Sequence, residues 1–248
     1  MLILLPPSEG KTVAARGRHL DLDRLSLPEL GATRTAVLEA VARTSLLENA
    51  AERLGISPNL QGEIARNTCR LTAPTAAAGR VYSGVLHQAL DLPSLDTASR
   101  RRAHRWLLVV SALFGAVRMG DRIPAYRHLM GVNLATPGSA RGGVARPPLG
   151  DASGRGRARL VVDCRSSTYA VAWVPQGPLA RRWVKVRVRG ASHLAKHTRG
   201  LVARHLCEMG VEARSPGALA EVVGRRFDVA LAPPAKAGQP WTLDASAR

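Results

Sequence analysis

The residues best suited to chemistry in this sequence stand at the borders of apolar segments. Pro6-Pro7-Ser8-Glu9-Gly10-Lys11-Thr12 follows the apolar run Met1–Leu5 and ends in Gly-Lys-Thr, the tail of a phosphate-binding loop. A nucleotide-hydrolysing loop needs another glycine five positions before Gly10, and Leu5 stands there, so the spacing argues against that reading. The residue types still allow an anion site at the carboxyl end of a strand, built from the Gly10 backbone, the Lys11 ammonium and the Ser8 and Thr12 hydroxyls. The plainer alternative is a turn carrying an exposed lysine. Asp163-Cys164-Arg165-Ser166-Ser167 poses the same choice at the end of a second apolar run: Asp163 or the serines bind a ligand, or they cap the turn. Lys11, Arg127, Asp163 and Lys196 come from four distant segments, each at an element boundary. Converging in one cleft, they would form an enzyme site for a phosphorylated or carboxylated small molecule.

Two kinds of chemistry find little support. His193 and His197 have i, i+4 spacing on a helix but no third ligand nearby, so no metal site is expected. Cys69, Cys164 and Cys207 are widely spaced and form no C-x-x-C pair, which removes a disulfide framework and the common zinc patterns. No cofactor is expected.

Leu107–Arg118 reads as a helix, a tight apolar turn at Ser111-Ala112-Leu113-Phe114-Gly115 and a second helix, an arrangement like a helix-hairpin-helix. Such a hairpin binds DNA because glycines let backbone N–H groups come close to a phosphate. Gly115 is in place, but Ala112 stands where the first glycine belongs; a packed helical turn without nucleic acid is the alternative. Arg100, Arg101, Arg102, Arg105 and Arg118 surround this segment, and Arg187 and Arg189 line the polar side of an alternating strand at 183–189, so several phosphates would be neutralised together.

The elements that must position these residues follow from periodicity. Met1–Leu5 is a strand buried on both faces. Residues 33–54 carry apolar groups at helical spacing and stop at Gly55; 81–90 and 98–110 are also helix-like. Residues 160–163 and 170–174 read as strands, and a helix runs from Ser192 to about Met209. Residues 135–159 hold six Gly, three Pro and five Arg and offer almost nothing to bury, which predicts a flexible basic insertion. A loose tail is expected from about 233. The whole chain, 1–248, reads as a single compact domain of mixed α+β (α/β) type, a mixed sheet with surrounding helices and the embedded hairpin.

Composition sets the outer limits. The chain has 248 residues, 46% of them hydrophobic, enough for a sizeable core and against disorder throughout. Lys and Arg number 36 against 18 Asp and Glu, a formal net charge of +18. That balance favours polyanion partners, although only four of the 36 are lysines and a GC-rich coding bias would add arginine too. No apolar run approaches the length needed to span a bilayer, and the start lacks the pattern of a signal peptide, so a cytoplasmic protein without a membrane partner is expected.

Five separated segments, LLPPSEGKT, VYSGVLHQAL, LLVVSALFGAVRMGDRIPAYRHLMGVNL, LVVDCRSSTYAVAW and SHLAKHTRG, resemble the YaaA-type peroxide stress protein family in order and over most of the chain. The resemblance implies one α/β domain, a cytoplasmic role in limiting iron-driven oxidative damage, and non-specific binding of double-stranded DNA through a helix-hairpin-helix and a basic cleft. The matching motif positions are Ser8, Lys11, Thr12, Tyr82, Gly84, Gly115, Arg118, Tyr126, Arg127, Met130, Gly131, Asp163, Ser166, Tyr169, Ser192 and Lys196. The chain departs from the family pattern at Ala112 and in the run 135–159, where a tryptophan-containing segment is usual.

Overall fold

Five consecutive apolar residues at 1–5 have no polar side to show to water, and the fold uses them accordingly. In the computed structural model, which describes residues 1–57, 61–69, 71–132, 134 and 160–248, β1 (Leu2–Leu5) lies inside a seven-stranded sheet. Leu2 and Leu4 enter one core layer; Ile3 and Leu5 enter the other. The strands in chain order are β1, β2 (Ala76–Ala77), β3 (Leu107–Ser111), β4 (Gly115–Arg118), β5 (Arg122–Ile123), β6 (Val161–Asp163), β7 (Trp183–Arg187), β8 (Phe227–Ala232) and β9 (Trp241–Ala247). The main sheet has the order β4-β3-β1-β6-β7-β9-β8, parallel from β3 to β9 and closed at each edge by an antiparallel strand. β2 and β5 form a separate two-stranded pair.

The helices are α1 (Gly31–Ser45), α2 (Ala50–Arg53), α3 (Gln61–Ala65), α4 (Ala78–Val81), α5 (Val85–Leu90), α6 (Thr97–Trp106), α7 (Ser167–Ala170), α8 (Ser192–Met209) and α9 (Pro216–Gly224). The result is a single α/β domain with a mixed sheet. No helix of the described residues is long and apolar enough to cross a membrane.

Five expectations need correction. The helix read over 98–110 ends at Trp106, and Leu107–Val110 is a strand buried on both faces, of the same kind as β1. The segment 107–118 is therefore a strand, a turn and a strand, not a helix-hairpin-helix. Its turn is closed from within: the Ser111 hydroxyl accepts from the Leu113 and Phe114 N–H groups (3.2 Å each), and Gly115 leaves with φ +70°. Buried Arg34 then donates to the carbonyls of Phe114 (3.0 Å) and Ala116 (2.9 Å). The supposed loose tail after 233 instead contains β9, hydrogen-bonded between β7 and β8, with Leu243 and Ala245 buried. Residues 170–174 are not a strand; they follow from the short α7. The helix over 81–90 is divided at Tyr82–Gly84 into α4 and α5. The basic run 135–159 lies outside the described residues.

Candidate functional site

The register places three strand ends side by side: Leu5 of β1 pairs with Val109 of β3, and Leu4 pairs with Asp163 of β6. The loop leaving β1 thus emerges between the ends of β3 and β6, where crossing strand connections leave room for a ligand. Proline at 6 and 7 ends the strand, and the chain then folds back against Tyr82–Gly84. Thr12 N–H donates to the Val81 carbonyl (2.8 Å), Lys11 forms a bridge with Tyr82, and Ser83 N–H reaches the Ser8 hydroxyl (3.1 Å). Gly84 is needed for this approach, because a Cβ there would lie 2.7 Å from the Ser8 Cβ.

The loop directs Lys11 inward. Its Nζ lies 4.2 Å from the centre of the Tyr126 ring and 5.9 Å from that of Tyr82, and donates to the carbonyls of Ser8 (2.7 Å) and Glu9 (3.3 Å). Behind it the Tyr82 and Tyr126 hydroxyls share a hydrogen bond of 3.0 Å, and the Tyr126 hydroxyl is 2.8 Å from Ser111 Oγ. His87 stacks on Tyr82 with 5.1 Å between ring centres and its Nε2 is 3.1 Å from the Pro6 carbonyl.

Arg127 forms the charged wall of the site. Its backbone is clamped by Asn67, which accepts from Arg127 N–H (3.0 Å) and donates to its carbonyl (2.7 Å). Its guanidinium meets Glu63 at 3.2 Å and Glu9 at 3.8 Å, while Nε is buried without a hydrogen-bond partner among the described residues.

Burial, and then the nearby Arg127 charge, lower the Lys11 ammonium to about 7, against smaller opposing effects of Glu63 and Glu9. Burial alone is the main cause that lowers His87 to about 4 and raises the Tyr82 and Tyr126 hydroxyls above their ordinary range. The site therefore holds, near neutral pH, a partly deprotonated amine, a neutral imidazole and protonated phenols.

The four residues proposed to converge do so only in part. Lys11 and Arg127 lie close enough for the Arg127 charge to act on the Lys11 ammonium. Asp163 is fully buried and committed to Arg165, which donates to both carboxylate oxygens (2.8 and 2.7 Å), and to the Trp183 indole N–H (3.0 Å). Lys196 is exposed on α8. Among the described residues no hydrogen bond or ion pair joins Asp163 or Lys196 to Lys11. In the opening loop the Ser8 hydroxyl donates to the Gly10 carbonyl, and Thr12 is exposed.

The arginines assigned to DNA are also divided. Arg100 donates to the Pro93 and Leu95 carbonyls, and Arg102 to the Cys207 and Glu208 carbonyls at the end of α8. Arg118 caps the Arg105 carbonyl at 2.7 Å. Arg187 and Arg189 both pair with Asp244 on β9. Gly115 and Ala112 are buried, so the hairpin turn offers no backbone to a phosphate.

Residue-level reasoning did not find Glu63, Asn67, His87 or Ser111. Glu63 on α3 and Asn67 just beyond its end sit four residues apart, a spacing too common to stand out, and His87 looks like any half-apolar helix residue. Among the described residues no group of three His, Cys, Asp or Glu side chains is placed to hold a metal ion.

The chain is 47% identical to a UPF0246 protein of Streptomyces coelicolor over 98% of its own length and 97% of that protein's. It is 39% identical to a UPF0246 protein of Corynebacterium efficiens (90% of this chain, 91% of the relative) and 36% identical to one of Corynebacterium glutamicum strain R (87% and 88%). The family described as "Peroxide stress protein YaaA" matches residues 1–230, which include both the Lys11 loop and the Tyr126-Arg127 wall. The chain belongs to the YaaA peroxide stress protein family.

Proposed function

We propose that this peroxide stress protein limits iron-driven oxidative damage by binding the phosphate backbone of double-stranded DNA through the exposed face of α6. One observation carries the reading. The exposed positions of α6 are Thr97, Ala98, Arg100, Arg101, His104 and Arg105, with no carboxylate among them. The acid at the helix start, Asp96, is occupied as its cap, accepting from the Ala98 and Ser99 N–H groups. The Arg101 and Arg105 guanidinium groups have no hydrogen-bond or ion-pair partner among the described residues, and Arg118 lies against the same helix end, donating to the Arg105 carbonyl. A one-signed face on a chain of net charge +18 attracts a polyanion and reads no bases. A cytoplasmic location suits such a partner, and a protein layer on DNA stands between the duplex and the radicals that iron and peroxide generate.

Fluorescence anisotropy with a short duplex at several salt concentrations tests the proposal. Affinity should be indifferent to sequence and fall with a log–log slope of about −0.9 per phosphate neutralised. Arg101→Gln with Arg105→Gln should make that slope shallower by about 2. An unchanged slope in the double variant would place any DNA contact elsewhere.

A further inference from the structure

Lysines buried for structural reasons are usually paired with a carboxylate. Lys11 is not, although two carboxylates are close: Glu63 and Glu9 meet the Arg127 guanidinium, and Glu63 is shared with Arg66 at 3.7 Å. The Lys11 amine is left with two backbone carbonyls and two aromatic faces. Near it Arg127 Nε is buried and, among the described residues, unpartnered, a donor lacking an acceptor. The chain around Lys11 opens to solvent, with Glu9, Gly10 and Thr12 exposed.

We propose that Lys11 is a carbonyl-condensing lysine, whose amine forms an imine with a small α-oxo carboxylate while Arg127 receives the carboxylate. The proposal is independent of DNA binding by α6. The substrate class follows from the two unsatisfied demands: a nucleophilic nitrogen calls for an electrophilic carbon, and the adjacent donor calls for an anion. An α-oxo acid carries both on neighbouring atoms.

In the reaction the neutral amine adds to the carbonyl carbon, forming a C–N bond as the C=O π bond opens. Both protons of the amine nitrogen and the former carbonyl oxygen then leave as one water molecule as C=N forms. No electrons are exchanged, and no co-reactant is needed. At pH 7 an amine with a pKa of about 7 is about half neutral, whereas an ordinary lysine at 10.5 is neutral in about one molecule in three thousand. The charged and titratable groups facing it are Arg127, Glu63, Glu9, His87, Tyr82 and Tyr126. The Tyr126 and Tyr82 rings beside the nitrogen favour a cationic iminium, formed when the imine takes a proton from solvent, over their faces.

The chain supplies its own controls, because Lys185, Lys196 and Lys236 are the only other lysines. The full-length protein is incubated with pyruvate and cyanoborohydride, and each lysine is quantified by peptide mass spectrometry. Reduced adduct should accumulate on Lys11 at least tenfold faster than on the other three, with a rate that rises through pH 7. The Lys11-to-Lys196 ratio should be several times higher with pyruvate than with its methyl ester, which lacks the anion. Arg127→Met should bring the two ratios together; if that variant does not fold, the ester comparison in the unaltered protein still decides. Labelling of Lys11 no faster than of Lys196 overturns the proposal, and equal preference for acid and ester overturns the role given to Arg127.

Discussion

Neighbouring strands of one sheet finish in opposite ways. At the end of β6, Asp163 is enclosed by Arg165 and Trp183, and Arg165 uses its remaining donors on the Tyr169 and Trp173 carbonyls. Every strong group there has found a partner within the chain. At the end of the neighbouring β1, among the described residues, Lys11 has no carboxylate partner and Arg127 Nε has no acceptor. Two polar clusters look alike in sequence, yet one is closed and the other retains unmet bonding capacity. The end of β3 resembles β6, since Arg34 and Ser111 satisfy its turn from inside. Function is expected where bonding is incomplete, not simply where charges lie at strand ends.

The contrast has measurable consequences. The largest concerns Asp163→Asn, which leaves the buried Arg165 guanidinium without its counter-charge. The loss of stability in urea unfolding should be about 3–5 kcal/mol. A loss under about 1 kcal/mol, within the range of exposed pairs, would remove the distinction between the two strand ends.

Lys11→Met should behave in the opposite way. Because folding lowers the Lys11 pKa from 10.5 to about 7, the unfolded chain binds the extra proton between those values, and stability of the unaltered protein rises with pH across that window. The methionine variant should be at least as stable at pH 7 and lack this rise, as measured by thermal melts from pH 7 to 10.5. A variant that melts lower and keeps the same pH slope would show Lys11 to be an ordinary structural residue.

The smallest expected effect is on DNA. The sequence alone leads to the expectation that Ala112→Gly strengthens binding, by freeing a hairpin backbone for phosphate. Ala112 is 1% exposed, so affinity in the variant should match that of the unaltered protein. Tighter binding would return the contact to the turn.

Sequence patterning revealed the centre of the fold better than its edges. Met1–Leu5 and Leu160–Asp163 read as strands because parallel strands covered on both faces need unbroken apolar runs, and both are strands. Leu107–Val110 has the same signature, but the helical residues just before it carried the period across Trp106. β9 escaped notice because its inward residues, Leu243 and Ala245, follow a stretch of Pro, Lys and Gly typical of tails. At the site, the loop residues Ser8 to Thr12 and the resemblance-derived Tyr82, Tyr126 and Arg127 were legible. What no local pattern contains is the pairing of partners: that Asp163 would be neutralised by a residue two positions on, or that Glu63 would occupy Arg127 and leave Lys11 unpaired. Those outcomes are set by tertiary packing.

The position of β1 also bears on how the chain reaches its native state. Ile3 pairs with Leu107 on one side and Val162 on the other, so this interior strand is made early and completed late. At translation rates of about 5–20 residues per second, roughly ten to thirty seconds separate β1 from its second partner. Until then Leu2–Leu5 is an apolar segment with at least one side unpaired, a topology that folds slowly and invites capture by holdase chaperones or by other nascent chains.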